Sequence, residues 1–109
     1  MNTIEKTQKR VELETMTKVI ADYLKTQPVI KAWIFGSFAR GEDTSESDVD
    51  ILVLFDHSKP IGLIHYAKMW RDLEERVGRK VDFVEEGSLM PFAVESANRD
   101  KKLIYERTN

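Results

Sequence analysis

Two carboxylates separated by one apolar residue, Asp48-Val49-Asp50, are the side chains of this sequence best arranged for chemistry. On a strand, residues two apart project from the same face, with Cα atoms about 7 Å apart. At ~4 Å between the carboxylates their repulsion is on the order of 4 kcal/mol at an effective dielectric of about 20. A divalent cation removes that penalty, and hard oxygen donors suit Mg²⁺. Asp82, between Val81 and Phe83, is the candidate third ligand, provided its strand neighbours the one carrying Asp50. Three carboxylates on one face can hold two metal ions that clamp the attacking and leaving oxygens of a phosphoryl transfer. Asp82 then also stands where it can draw the proton from an attacking hydroxyl.

The complementary part is Gly36-Ser37. Glycine lets the backbone turn sharply and approach a ligand closely. Ser37 offers a hydroxyl and a backbone N–H at the start of a helical turn, where anions bind. Such a turn can hold the terminal phosphates of a triphosphate while the carboxylates hold the metals. Arg40 either adds positive charge there or pins the loop to an acidic neighbour; the sequence leaves both open.

The elements that must position these residues follow from periodicity. Leu13, Met16, Ile20, Tyr23 and Leu24 fall at helical spacing within Thr3–Lys25, and Pro28 closes that segment. Val29–Phe35 reads as a strand. Ser37 is expected to cap a short turn of helix through Arg40, which Gly41 stops. Glu42–Ser47 is a polar loop, and Asp48–Phe55 a second strand whose continuous apolar run predicts burial on both faces. A helix over Ile61–Val77 presents Tyr66, Met69, Trp70, Leu73 and Val77 on one side, and Gly78 ends it. Lys80–Glu85 reads as a third strand and Pro91–Asn98 as a short helix. Leu103-Ile104-Tyr105 is a last strand or helical turn, and the polar tail Glu106–Asn109 is expected to fray. The order α, β, turn, β, α, β, α predicts one α/β (α+β) domain over residues 1–109, with a small mixed sheet. The short connection favours an antiparallel first pair, and the helical crossover permits a parallel second one.

Composition narrows the partners. Seventeen Lys+Arg against nineteen Asp+Glu give a net charge of −2, without the basic surplus by which proteins grip long nucleic acid. A mononucleotide arriving with its own Mg²⁺ is compatible with that charge. No cysteine is available for a disulfide or a thiolate metal site, no apolar run approaches the length of a membrane span, and Met1–Lys6 lacks a signal-peptide core. The expected location is the cytoplasm.

Gly36-Ser37, ten intervening residues (38–47), then Asp48-Val49-Asp50-Ile51 resembles the signature of the DNA polymerase beta-type nucleotidyltransferase superfamily. The fuller Gly-Ser-Phe-Ala-Arg-Gly and Ser-Asp-Val-Asp-Ile segments resemble its minimal nucleotidyltransferase branch, whose members often pair with a helical HEPN protein, in several cases as antitoxin to a HEPN ribonuclease. The likeness runs from the first helix to the third strand. It implies that Asp48, Asp50 and Asp82 hold metal and that Gly36 and Ser37 contact the triphosphate. It further implies transfer of AMP from ATP to a hydroxyl, for minimal members a tyrosine of the HEPN partner. Larger relatives carry an extra domain for the acceptor, so here a partner protein or a second copy is expected to complete that site. Two rival readings stand beside this one: a non-catalytic subunit that neutralises its partner by binding, and a nucleotide sensor or RNA-modifying subunit.

Overall fold

The computed structural model describes residues 3–88 and 91–108. Along the chain run α1 (Thr3–Leu24), β1 (Val29–Phe35), α2 (Gly36–Arg40), β2 (Val49–Phe55), α3 (Leu63–Val77), β3 (Val81–Glu85), α4 (Pro91–Asp100) and β4 (Lys102–Glu106). The four strands form one mixed sheet in the order β3-β2-β1-β4. β1 and β2 are antiparallel, as their short connection favours, and β2 and β3 are parallel across the α3 crossover.

β2 lies inside the sheet and reads as its sequence predicts. Val49, Ile51 and Val53 are fully buried on one face, and Leu52 is buried on the other. The helical stripes also land where their spacing puts them. Met69 and Leu73 of α3 and Ile20, Tyr23 and Leu24 of α1 are buried in the core, with Leu13, Met16, Tyr66, Trp70 and Val77 packed at its margin. Tyr23 OH donates to Asp72 Oδ2 at 2.7 Å, tying α1 to α3. Among the described residues no helix is long and apolar enough to cross a membrane.

Several boundaries differ from the sequence reading. α3 begins at Leu63, not Ile61: Ile61 packs against the core while Gly62 remains extended at φ −83°, ψ 173°, and the helix starts beyond them. β3 starts at Val81 rather than Lys80, and α4 continues to Asp100, where the Asp100 carboxylate accepts a bond from Arg40. Leu103-Ile104-Tyr105 is a strand, because β1 offers it an antiparallel ladder with Ala32↔Tyr105 and Ile34↔Lys102. The expected fraying fails at Glu106 and Arg107. Glu106 belongs to β4, and Arg107 donates its backbone N–H to Ile30 O and its guanidinium to Asp56 Oδ2, both at 2.8 Å. Bonds from Ser58, and then that guanidinium, hold the Asp56 carboxyl down at about 2. Asn109, the end of that predicted tail, lies outside the described residues.

Candidate active site

The parallel pairing of β2 with β3 sets the site. Its register places Asp50 directly beside Asp82, with Val49 opposite Val81 and Ile51 opposite Phe83. Those apolar neighbours are buried in the core, so alternation sends the two carboxylates to the other face of the sheet. Asp82 is exposed and Asp50 half-buried.

Asp48 is not on the strand, contrary to expectation. The last β1 partner is Phe35, opposite Asp50, because the chain turns into α2 at Gly36. Nothing in β1 remains to pair with Asp48, which ends the loop as an exposed residue immediately before β2. It still lies close enough to act on Asp50. Burial first, then the negative charges of Asp82 and Asp48, push the Asp50 carboxyl up to about 6, against a smaller opposing pull from Arg40. The three carboxylates therefore share one electrostatic neighbourhood.

Gly36 abuts that neighbourhood. Its φ is +71°, and a Cβ built there would stand 2.1 Å from Asp50 Oδ2. The turn is thus glycine for two reasons, the left-handed backbone and the closeness of the carboxylate. Gly36 is also the first residue of α2, two positions earlier than expected, with Phe35 as N-cap and no side-chain cap bond. Ser37 is then inside the helix and does not cap it. Its hydroxyl sits half-buried one residue beyond Gly36. Gly41 ends α2 in the left-handed conformation, as predicted. Arg40 does pin its surroundings, and its charge also reaches Asp50. Its Nε donates to Glu42 Oε2 at 3.1 Å and its Nη1 to Asp100 Oδ2 at 3.2 Å.

The donor set suits a hard divalent cation in type, being all carboxylate, and the mutual repulsion around Asp50 is the imbalance such an ion relieves. Among the described residues no three His, Cys, Asp or Glu side chains are already gathered at ion-binding distance.

Arg79 is the residue that sequence reading missed. Its Nη1 donates to the carbonyls of Thr44 at 3.2 Å, Ser45 at 3.4 Å and Ser47 at 3.1 Å, and its guanidinium lies 5.1 Å from the centre of the Phe38 ring. One side chain thus ties the loop that delivers Asp48 to the helix that follows Gly36. Lys9 Nζ adds a bond to Asp43 O at 2.8 Å from α1. The available signal was position alone: an arginine between the glycine that ends α3 and the strand carrying Asp82.

Comparison with known proteins shows the family. Residues 18–109 match the family model described as Polymerase beta, Nucleotidyltransferase. A candidate protein adenylyltransferase of Methanocaldococcus jannaschii is 37% identical over 89 residues, which span 81% of this chain and 84% of that one. The solved structure of a candidate minimal nucleotidyltransferase superposes with a TM-score of 0.69 at 31% identity, covering 83% of this chain and 93% of that one. A complex described as tri-AMPylated Shewanella oneidensis HEPN toxin with MNT antitoxin shares the fold, with a TM-score of 0.59 at 17% identity over 91% of this chain and 73% of that one. The chain belongs to the polymerase beta nucleotidyltransferase family and is a nucleotidyltransferase of its minimal type.

Proposed function

We propose that this chain transfers AMP from ATP to a hydroxyl, a tyrosine, of a HEPN-domain partner protein, and that the modification makes it the antitoxin of that partner. The observation that carries the reading is the register of Asp50 beside Asp82, with Asp48 close by and Gly36 against Asp50. The relative named as an adenylyltransferase and the AMPylated HEPN complex support the choice of group and acceptor. The exposure of Asp48 and Asp82 supports an acceptor brought in from outside.

Asp48, Asp50 and Asp82 would hold Mg²⁺, two ions in the full arrangement. Mg²⁺ supplies neutralisation of the triphosphate and of the charge that develops as the leaving group departs. Gly36 and Ser37 bind the phosphates through the close backbone approach and the hydroxyl, and Arg40 contributes charge from its ion-paired position. Asp82 accepts the proton of the acceptor hydroxyl as its oxygen bonds to the α-phosphorus. The bond to the β-phosphate breaks, and pyrophosphate leaves.

The test is incubation with α-labelled ATP and Mg²⁺, with and without a candidate HEPN-domain partner protein, read by intact mass. A gain of one or more AMP groups on the partner, lost when its tyrosine is replaced by phenylalanine, is the expected result. A stable complex with no mass gain overturns the catalytic reading and leaves neutralisation by binding.

Arg79→Ala is expected to raise the Mg²⁺ concentration needed for half-maximal transfer and to lower kcat/KM by ~10- to 100-fold, since a misplaced group costs rate steeply. Arg79→Lys should recover little, because a single ammonium lacks the planar fork that meets several carbonyls. A Mg²⁺ titration of both variants checks this. A fall in melting temperature with an unchanged Mg²⁺ requirement would mean that Arg79 supports only the fold.

A further inference from the structure

Arg40 stands four residues after Gly36 on α2, so the two share a face of that helix. Phe38 and Ala39 between them are buried, which fixes the backbone from which the guanidinium extends. Two carboxylates grip that guanidinium: Nε donates to Glu42 Oε2 at 3.1 Å and Nη1 to Asp100 Oδ2 at 3.2 Å. Nη2 donates to no group among the described residues, so two N–H donors of the planar fork remain. The positive charge also reaches Asp50, where it opposes the neighbouring carboxylates.

The two grips are unequal. The Glu42 side chain is 65% exposed, and such a surface pair contributes little. The Asp100 side chain is 13% exposed and comes from sixty positions further along the chain. Its flanks are anchored on both sides. Ala97 of α4 is buried, Lys101 Nζ lies 4.5 Å from the centre of the Trp33 ring, and Lys102 pairs with Ile34, two residues before Gly36. The β1–β4 ladder thereby ties the position of Asp100 to that of the Gly36 turn. Nothing in α4 itself favours an aspartate there. Asp100 is the last residue of that helix, where a carboxylate opposes the macrodipole. Its charge is answered by Arg99 Nε, 3.3 Å from Oδ1, and by Arg40 from α2.

We infer that Asp100 is a positioning residue: it clamps Nη1 of Arg40 and so leaves Nη2 to meet a phosphate oxygen of a nucleoside triphosphate at the Gly36 turn. The inference rests on the proposal that Arg40 contributes its charge to the triphosphate, and adds what aims that charge. A guanidinium held at Nε and Nη1 has one nitrogen left to offer. A fork fixed in advance also loses less freedom when it closes on an oxyanion. Released from Asp100, Arg40 keeps its charge but is held only by the exposed Glu42.

Calorimetric titration of the full chain with Mg²⁺ and α,β-methylene ATP, in which a methylene replaces the bridging oxygen, tests this as a double-variant cycle. Asp100→Asn keeps the shape, removes the charge, and should weaken binding of the analogue by ~10-fold. Arg40→Gln should weaken it at least as much. Adding Asp100→Asn to Arg40→Gln should weaken it no further, because the side chain through which Asp100 acts is gone. A purely structural role for Asp100 would instead weaken binding equally in both backgrounds, and overturns the inference. Circular dichroism checks that each variant is folded. Free of any substitution, nitrogen NMR of the wild-type guanidinium groups should show Arg40 Nη2 shifting on addition of the analogue while Nε and Nη1 hold their resonances. A shift of all three together means that Arg40 has left Asp100, and overturns the inference. If Arg40→Gln binds as the wild type does, the proposed role of Arg40 fails and the inference with it. If Arg40→Gln weakens binding while Asp100→Asn leaves it unchanged or tightens it, that role stands and only the inference about Asp100 is overturned.

Discussion

Replacing Asp48 and Asp50 together by asparagine is expected to abolish AMP transfer and to make the protein melt at a higher temperature. The loss of activity follows from removing two of the three anionic donors. If they contribute about 4 kcal/mol of the stabilisation a bound metal gives the transition state, transfer falls by ~10³-fold. The gain in stability follows from Asp50. Burial, then Asp82 and Asp48, push its carboxyl up to about 6 in the folded chain. Between its ordinary value and that one, the folded state binds more protons than the unfolded state, so stability falls as pH rises through the window from about 4 to 6. A displacement of that size corresponds to about 3 kcal/mol for a charge shielded from water. Screening of a half-buried group reduces it to roughly 1 kcal/mol. Asparagine carries no charge, so the variant should melt a few degrees higher at pH 7.5, with the gap closing below pH 4. Mg²⁺ should raise the melting temperature of the wild type and leave the variant unmoved. Thermal melts at the two pH values, with and without Mg²⁺, read all of this. Retained transfer by the folded double variant would falsify the proposed mechanism.

Gly36→Ala should produce the second large effect, through position alone. At φ +71° an L-residue costs about 1–2 kcal/mol, and the new methyl would meet Asp50 Oδ2 at 2.1 Å and Cγ at 3.1 Å. The carboxylate is the movable end of a side chain, so it turns away cheaply and the fold survives. The cost falls on function, because a displacement of about 1 Å in a reacting group lowers rates by ~100-fold. Gly87→Ala is the control. Gly87 is also left-handed, at φ +96°, but its added Cβ would meet nothing within 4 Å. The two variants should lose comparable stability in urea titrations while only Gly36→Ala loses transfer. Equal activity in both would show that contact with Asp50 is unimportant.

Much of this protein is written in short-range pattern. The helical stripes of α1 and α3 and the apolar run of β2 depend on residues within a turn or a pleat of one another, so periodicity alone identifies them. The Gly36-Ser37 turn and the Asp48 and Asp50 pair are equally local, and their spacing points to nucleotide chemistry before any fold is known. Asp82 was legible only as a condition. Its place beside Asp50 exists because α3 crosses over and β3 docks parallel to β2 in one register; a slip of one residue would send it into the core. Other features belong to the tertiary structure outright. Arg79 matters because folding brings its guanidinium to carbonyls more than thirty positions earlier in the chain. Arg40 becomes a pin because Asp100, sixty positions away in sequence, comes within 3.2 Å, while its charge still reaches Asp50. The last segment becomes a strand because β1 has an unpaired side to receive it, and Arg107 holds its end to Asp56. Sequence alone picked out the residues proposed to carry the chemistry; long-range pairing decided which of them meet, because contacts between distant segments leave no local period to read.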